Sequence, residues 1–98
     1  FKENCPDVRN TKVVDVISHL NNYGMNLTIY DPWANPSEVQ EVYQLDSTQQ
    51  LPEETFDAVV LAVAHKEFIH LDLKPLLKTN SVVYDVKGVL GHKADAKL

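Results

Sequence analysis

Glycine, cysteine and positive charge are all scarce in this 98-residue chain, which has three glycines, one cysteine and a formal net charge of −5. With glycine confined to positions 24, 88 and 91, neither a G-x-G-x-x-G turn nor a Walker loop is encoded. One cysteine cannot close an internal disulfide, which fits a reducing compartment; with four histidines at no metal-ligand spacing, it also argues against a zinc site. The acidic balance leaves no Lys/Arg stripe to replace phosphate counterions, which excludes a general nucleic-acid binder. No apolar run is long enough to span a bilayer and no basic stretch precedes an apolar one, so the sequence predicts a soluble, cytoplasmic protein that binds no membrane. Also lacking are an initiator Met and a strand before Phe1-Lys2, from which the expectation is a piece of a longer protein.

What is present reads as one α/β domain spanning 1–98. Val13, Ile17 and Leu20 recur at helical spacing, widened by Val14 and Val16, with Asn10 or Thr11 as cap and Gly24 as the left-handed stop, which predicts a helix over 11–23. Leu27 to Tyr30 reads as a strand closed by Asp31-Pro32. Pro36 opens a short acidic helix, Val42 to Leu45 reads as a minor strand, and 46–54 is polar loop. The continuously apolar run from Ala58 to Ala64 predicts a parallel strand covered on both faces. A helix over 72–78 is signalled by Asp72 and Pro75, a last strand by 81–86, and the tail from His92 is polar. Alternating helices and strands imply a Rossmann-like, doubly wound parallel sheet of three or four strands, lacking its first strand. In that topology the missing strand lies between those ending at Asp31 and Ala64, whose edges are then expected to pair directly or with another chain.

Ligands of doubly wound sheets sit beyond the carboxyl ends of strands, and Asp31, His65, Lys66, Asp85 and Lys87 all fall there. Lys2 and Arg9 bracket a loop ahead of a helix start, where unpaired N–H groups and the helix dipole favour phosphate or carboxylate. Their bland reading is a solvated pair balancing Glu3 and Asp7, with Asp7 orienting the guanidinium or serving the dipole. Cys5 reads as a thiol activated by the helix start or a small buried group, and His65 as an acid–base group or a ring bonded to its loop. Trp33 reads equally as a stacking platform or a lid.

Phe1-Lys2 followed by Asp7-x-Arg9-Asn10-Thr11, a helix and Ile29-Tyr30-Asp31-Pro32 resembles the carboxyl-terminal UDP-sugar-binding domain of the UDP-glucose/GDP-mannose dehydrogenase family. Ala62-Val63-Ala64-His65-Lys66-Glu67-Phe68 and Tyr84-Asp85-Val86-Lys87-Gly88 resemble its branch acting on N-acetylated UDP-sugars for capsular or Vi-type polysaccharides. The resemblance covers nearly the whole chain. It implies a three-part NAD-dependent 6-dehydrogenase that oxidises the sugar C6 alcohol to a carboxylate with two NAD⁺. The catalytic cysteine then belongs to the absent central region and not to Cys5, so this chain is inactive alone and holds no catalytic residue. The implied partners are a UDP-sugar, NAD, the enzyme's own amino-terminal and central domains, and a second copy in a homodimer. Residue by residue, Phe1 and Lys2 match the pair that contacts the nucleotide sugar, and Arg9 matches the arginine that reaches the NAD pyrophosphate. Glucose-oxidising relatives carry an arginine where this chain has Gly88, which leaves Lys87 as the substitute substrate contact. The rival reading is a non-enzymatic receiver-like signalling module with Asp31 as phosphoacceptor and Lys87 after the last strand.

Overall fold

The structure, a computed structural model, describes residues 1–9 and 11–97. It divides the chain into two compact units, Phe1–Leu51 and Pro52–Leu98.

The first unit is built on two helices. Helix α1, Thr11–Asn22, buries Ile17 and half-buries Val13, Val14, Val16 and Leu20, the stripe expected from the apolar spacing. It ends as expected, with the Gly24 N–H donating to the Asn21 carbonyl at 3.0 Å and Gly24 at φ +77°. The capping expected of Asn10 or Thr11 lies outside the described residues and side chains. Helix α2, Pro36–Tyr43, starts at Asn35, whose Oδ1 accepts the N–H groups of Ser37 (2.8 Å) and Glu38 (3.4 Å), while Pro36 supplies a helical φ with no N–H to satisfy. Val39 on its inner face is fully buried, as are Phe1, Val8 and Ala34 within this unit.

Two expectations for this unit are corrected. Val42 and Tyr43 belong to α2, and Gln44 closes it in the left-handed conformation (φ 57°), so there is no strand over 42–45. Leu27 to Tyr30 is not a strand either. Among the described residues it makes an isolated parallel bridge, Tyr30–Thr48, where Thr48 donates to the Ile29 carbonyl and accepts from the Asp31 N–H, both at 3.0 Å. β-propensity alone does not extend an isolated bridge into a strand.

The second unit carries the sheet. Strand β1, Phe56–Leu61, pairs in parallel with β2, Leu77–Asp85, and β2 with β3, Ala96–Lys97, so the order is β1-β2-β3. This is the α/β class with a parallel sheet that the sequence predicted, though β3 comes from the polar tail, where no strand was expected. The register jumps between Phe56↔Leu77 and Ala58↔Val82, leaving Asp57 opposite a bulge in which Asn80 takes φ 64°. Beyond β1, Val63 and Ala64 are buried but outside the ladder, and a four-residue helix α3, Lys66–Ile69, follows. The helix expected over 72–78 is a single 3-10 turn, Lys74–Leu76, because β2 already begins at Leu77. Leu61, Val83 and Leu90 form the buried core, with Phe68, Leu73, Leu77, Val89 and Ala94 against it. The opposite face, carrying Ala58, Val60 and Val82, is exposed, so the apolar run of β1 is not covered on both sides as expected.

β3 is too short to hold itself in place, and Asp95 explains its position. The Asp95 N–H donates to the Val83 carbonyl (2.8 Å), and its Oδ2 accepts the Val83 N–H (2.7 Å). One residue thereby satisfies both main-chain groups of a core strand residue.

Candidate functional site

In the first unit the opening segment folds as a tight loop: the Cys5 N–H donates to the Lys2 carbonyl at 3.2 Å, and Asn4 takes φ 52°. The turn exposes Lys2 and buries the Phe1 ring, which stacks on Tyr43 at 6.1 Å between centroids. Cys5 carries a free, half-buried thiol.

Asp7 and Arg9 form a closed unit of their own. Asp7 Oδ1 accepts the Arg9 backbone N–H (2.9 Å) and Nε–H (3.0 Å), and Oδ2 accepts Nη2–H (2.8 Å). Hydrogen bonds from the Arg9 side chain, then from its backbone N–H, hold the Asp7 carboxyl well below the usual carboxylate range. The same contact raises the affinity of Arg9 for its proton. The carboxylate is 22% exposed and the guanidinium 84%, so the acid is the inner partner and the base the outer one. Of the two sequence readings for Asp7, orienting the guanidinium is the one the geometry bears out.

Sequence reasoning missed Tyr43. Its hydroxyl donates to the carbonyl of Val8, the buried residue between Asp7 and Arg9, while its ring lies on Phe1. The available signal was the i, i+4 spacing of Val39 and Tyr43 on one face of α2. What Tyr43 reaches lies 35 residues back and left no mark in the sequence pattern.

Asp31 is buried (5% exposed), and its Oδ1 accepts the N–H groups of Trp33 (2.8 Å) and Ala34 (3.0 Å). A carboxylate committed to its own loop in this way is a poor phosphoacceptor, which weighs against the receiver-like alternative. Trp33 is half-buried and takes part in that turn through its backbone.

In the second unit His65 is fully buried at the start of α3, its ring edge-on to Phe68 at 5.3 Å. A ring buried against the residue three ahead of it fits the reading of a structural histidine held by its own loop better than an acid–base role. Lys66 follows it on the surface. Asp85, 1% exposed at the end of β2, accepts N–H groups from Lys87 (3.1 Å) and Gly88 (2.8 Å) on Oδ1 and from Leu90 (2.8 Å) on Oδ2. Gly88 at φ +71° gives the turn its left-handed step, and Lys87 is held at the exposed position just before it. Phe1, Lys2, Asp7, Arg9 and Asp31 thus share one unit, and His65, Lys66, Asp85 and Lys87 the other.

Chemically, the described candidate residues offer exposed cations, of which Arg9 is held by Asp7, and no assembled nucleophile. No group of His, Cys, Asp and Glu among the described residues is disposed to hold a metal ion, and no helix is long and apolar enough to cross a membrane.

Residues 1–92 match the model of the UDP-glucose/GDP-mannose dehydrogenase family, UDP binding domain. Over its whole length the chain is 36% identical to the UDP-N-acetyl-D-glucosamine 6-dehydrogenase of Salmonella typhi and 37% identical to that of Pseudomonas aeruginosa, covering 24% of each relative. Over 92% of its length it is 39% identical to Protein CapL of Staphylococcus aureus, covering 22% of that protein. The chain therefore spans less than a quarter of the curated relatives it matches. No solved structure matches it.

Proposed function

The chain belongs to the UDP-glucose/GDP-mannose dehydrogenase family, and from that premise we propose that it is the UDP-sugar-binding domain of a nucleotide-sugar 6-dehydrogenase. The enzyme oxidises the C6 alcohol of a UDP-N-acetylhexosamine to a uronate with two NAD⁺, for precursors of a surface polysaccharide. One observation carries the reading: the match of residues 1–92 to the family's UDP binding domain. The names of the relatives, two UDP-N-acetyl-D-glucosamine 6-dehydrogenases, favour the N-acetylated substrate.

In this reading Phe1 and Lys2 contact the nucleotide sugar and Arg9 meets the NAD pyrophosphate, while Lys87, in the other unit, is the substitute substrate contact. Cations and N–H donors bind a diphosphate, and Lys2, Lys87 and Arg9 are exposed cations, Arg9 among them held in place by Asp7. NAD supplies the hydride acceptor; this chain supplies one contact to it, since the sequence has no glycine-rich turn to seat the rest. Catalysis and most of the cofactor site belong to the enzyme's amino-terminal and central domains, in a cytoplasmic homodimer.

Mixing the chain with UDP-N-acetylglucosamine and NAD⁺ tests the division of labour: no NADH forms. UDP alone, titrated in and followed by amide resonances, binds weakly, and Lys2→Ala lowers its affinity about tenfold, the order expected for one charge-assisted hydrogen bond. NADH production by the chain alone, or a UDP affinity indifferent to Lys2→Ala, overturns the reading.

A further inference from the structure

We propose that Asp7 is the positioning residue for Arg9, holding one edge of the guanidinium so that the other is presented, already oriented, to a diphosphate. The inference rests on the reading of Arg9 as a diphosphate contact and adds the device that makes an exposed arginine fit for it.

A guanidinium has five N–H donors in a fixed plane. Asp7 engages the side formed by Nε and Nη2. Both N–H groups of Nη1 and the second of Nη2 are not engaged by it, and they form the end-on fork that grips two oxygens of a phosphate. The carboxylate cannot swing freely beneath this fork, because its Oδ1 also closes a ring with the Arg9 backbone N–H at 2.9 Å. The backbone is pinned in turn at Val8, buried and bonded through its carbonyl to the Tyr43 hydroxyl. Tyr43, Val8, Asp7 and Arg9 therefore make a continuous support running from the interior outward, ending in a guanidinium that is 84% exposed. An ordinary surface pair on flexible side chains lacks such a footing.

Two effects of Asp7 on an incoming anion oppose each other. Ordering an arginine side chain at the moment of binding weakens affinity by roughly two- to tenfold, a cost that pre-orientation removes. The negative charge of Asp7 repels the anion, but that field is screened by salt over about 8 Å at physiological ionic strength and further at higher salt. Positioning is the larger effect in salt. Glu38 adds to the negative field around Arg9 and is unchanged in the variants below.

The test titrates inorganic pyrophosphate into the chain and into its Asp7→Ala, Asp7→Asn, Arg9→Ala and Asp7→Ala/Arg9→Ala variants, at physiological and at higher salt. The readouts are backbone amides of α1 and the Arg9 Nε–H resonance. Asp7→Ala weakens pyrophosphate about fivefold at both salt concentrations, leaves the α1 amides in place and returns Nε–H to the fast solvent exchange of a free arginine. Asp7→Asn keeps an acceptor oxygen without the charge and restores part of the affinity. In the Arg9→Ala background Asp7→Ala has no further effect. If Asp7→Ala binds pyrophosphate as tightly as the parent chain or more tightly while Arg9→Ala binds it weakly, Asp7 shields Arg9 and the proposal is wrong. If Arg9→Ala itself binds like the parent chain, the reading of Arg9 fails and the positioning role falls with it, so the two failures have different signatures.

Discussion

Asp31 and Asp85 each sit buried at the end of an apolar run, and each turns Oδ1 onto the backbone N–H groups two and three residues ahead. From there the two loops diverge. Asp31 is followed by Pro32, and its turn delivers the chain to Asn35, which caps α2 and so sets the helix that carries Tyr43. Asp85 places Oδ2 on the Leu90 N–H and thereby closes a loop around Lys87 and Gly88 before the chain returns as β3. A carboxylate at a strand end reads in sequence as chemistry, yet both of these serve as templates for their own loops. What distinguishes them is the cargo: a helix start in one case, an exposed lysine in the other.

The comparison predicts that both carboxylates carry stability through their loops. Asp85→Ala strips the partners from three N–H groups, the Leu90 one buried, and should cost about 3 kcal/mol in urea unfolding. Asp31→Ala leaves the Trp33 and Ala34 N–H groups without their acceptor and should cost about 2 kcal/mol or more. A loss below about 0.5 kcal/mol for either variant would break the comparison and mean that its loop holds its shape without the carboxylate.

How much of this was readable beforehand follows the range of the interactions. α1 and α2 were legible because a stripe, a proline and a terminal glycine are local signals. The second half of β2 was legible from its β-branched run while its start, Leu77 and Lys78, read as helix, and the core of β1 was legible although the ladder stops at Leu61 and the apolar run continues to Ala64. Leu27 to Tyr30 has the composition of a strand and makes an isolated bridge to Thr48 among the described residues, while Ala96–Lys97 has none of that composition and pairs because Asp95 grips Val83. Strand identity is decided by the partner, which no local pattern records. The same holds in the candidate site. Asp7 and Arg9, two residues apart, announced their contact, whereas the Tyr43 support across 35 residues did not.

A smaller effect sharpens the difference between the two loops. Gly88 takes φ +71°, whereas none of residues 32–35 in the Asp31 loop takes a positive φ. The space around Gly88 is open, so Gly88→Ala meets no clash and should cost only the left-handed backbone, about 1 kcal/mol. Gly88→Asn should cost less, since asparagine tolerates that region. Equal losses for the two, measured by thermal melting, would mean that the loop has room only for glycine and not merely a left-handed requirement.

The smallest effect concerns the third carboxylate, Asp7, which holds the Arg9 guanidinium as well as a backbone N–H. Its folded pKa is depressed, first by the side-chain hydrogen bonds from Arg9 and then by the Arg9 backbone N–H. A depressed carboxylate contributes its stability in full above the ordinary value of about 3.9 and loses it as pH falls through the folded value. The Asp7–Arg9 contact is therefore constant through neutral and mildly acidic pH and opens only below the range in which an unperturbed carboxylate protonates. Its effect on global stability should be small, because the guanidinium is exposed and the pair is screened by salt. The carboxyl ¹³C shift of Asp7 reports it directly: the midpoint lies lower in the parent chain than in Arg9→Ala, where it moves back toward the ordinary value. Equal midpoints in the two proteins would mean that the contact is not held in solution, and Asp7 would then have no hold on Arg9 with which to position it.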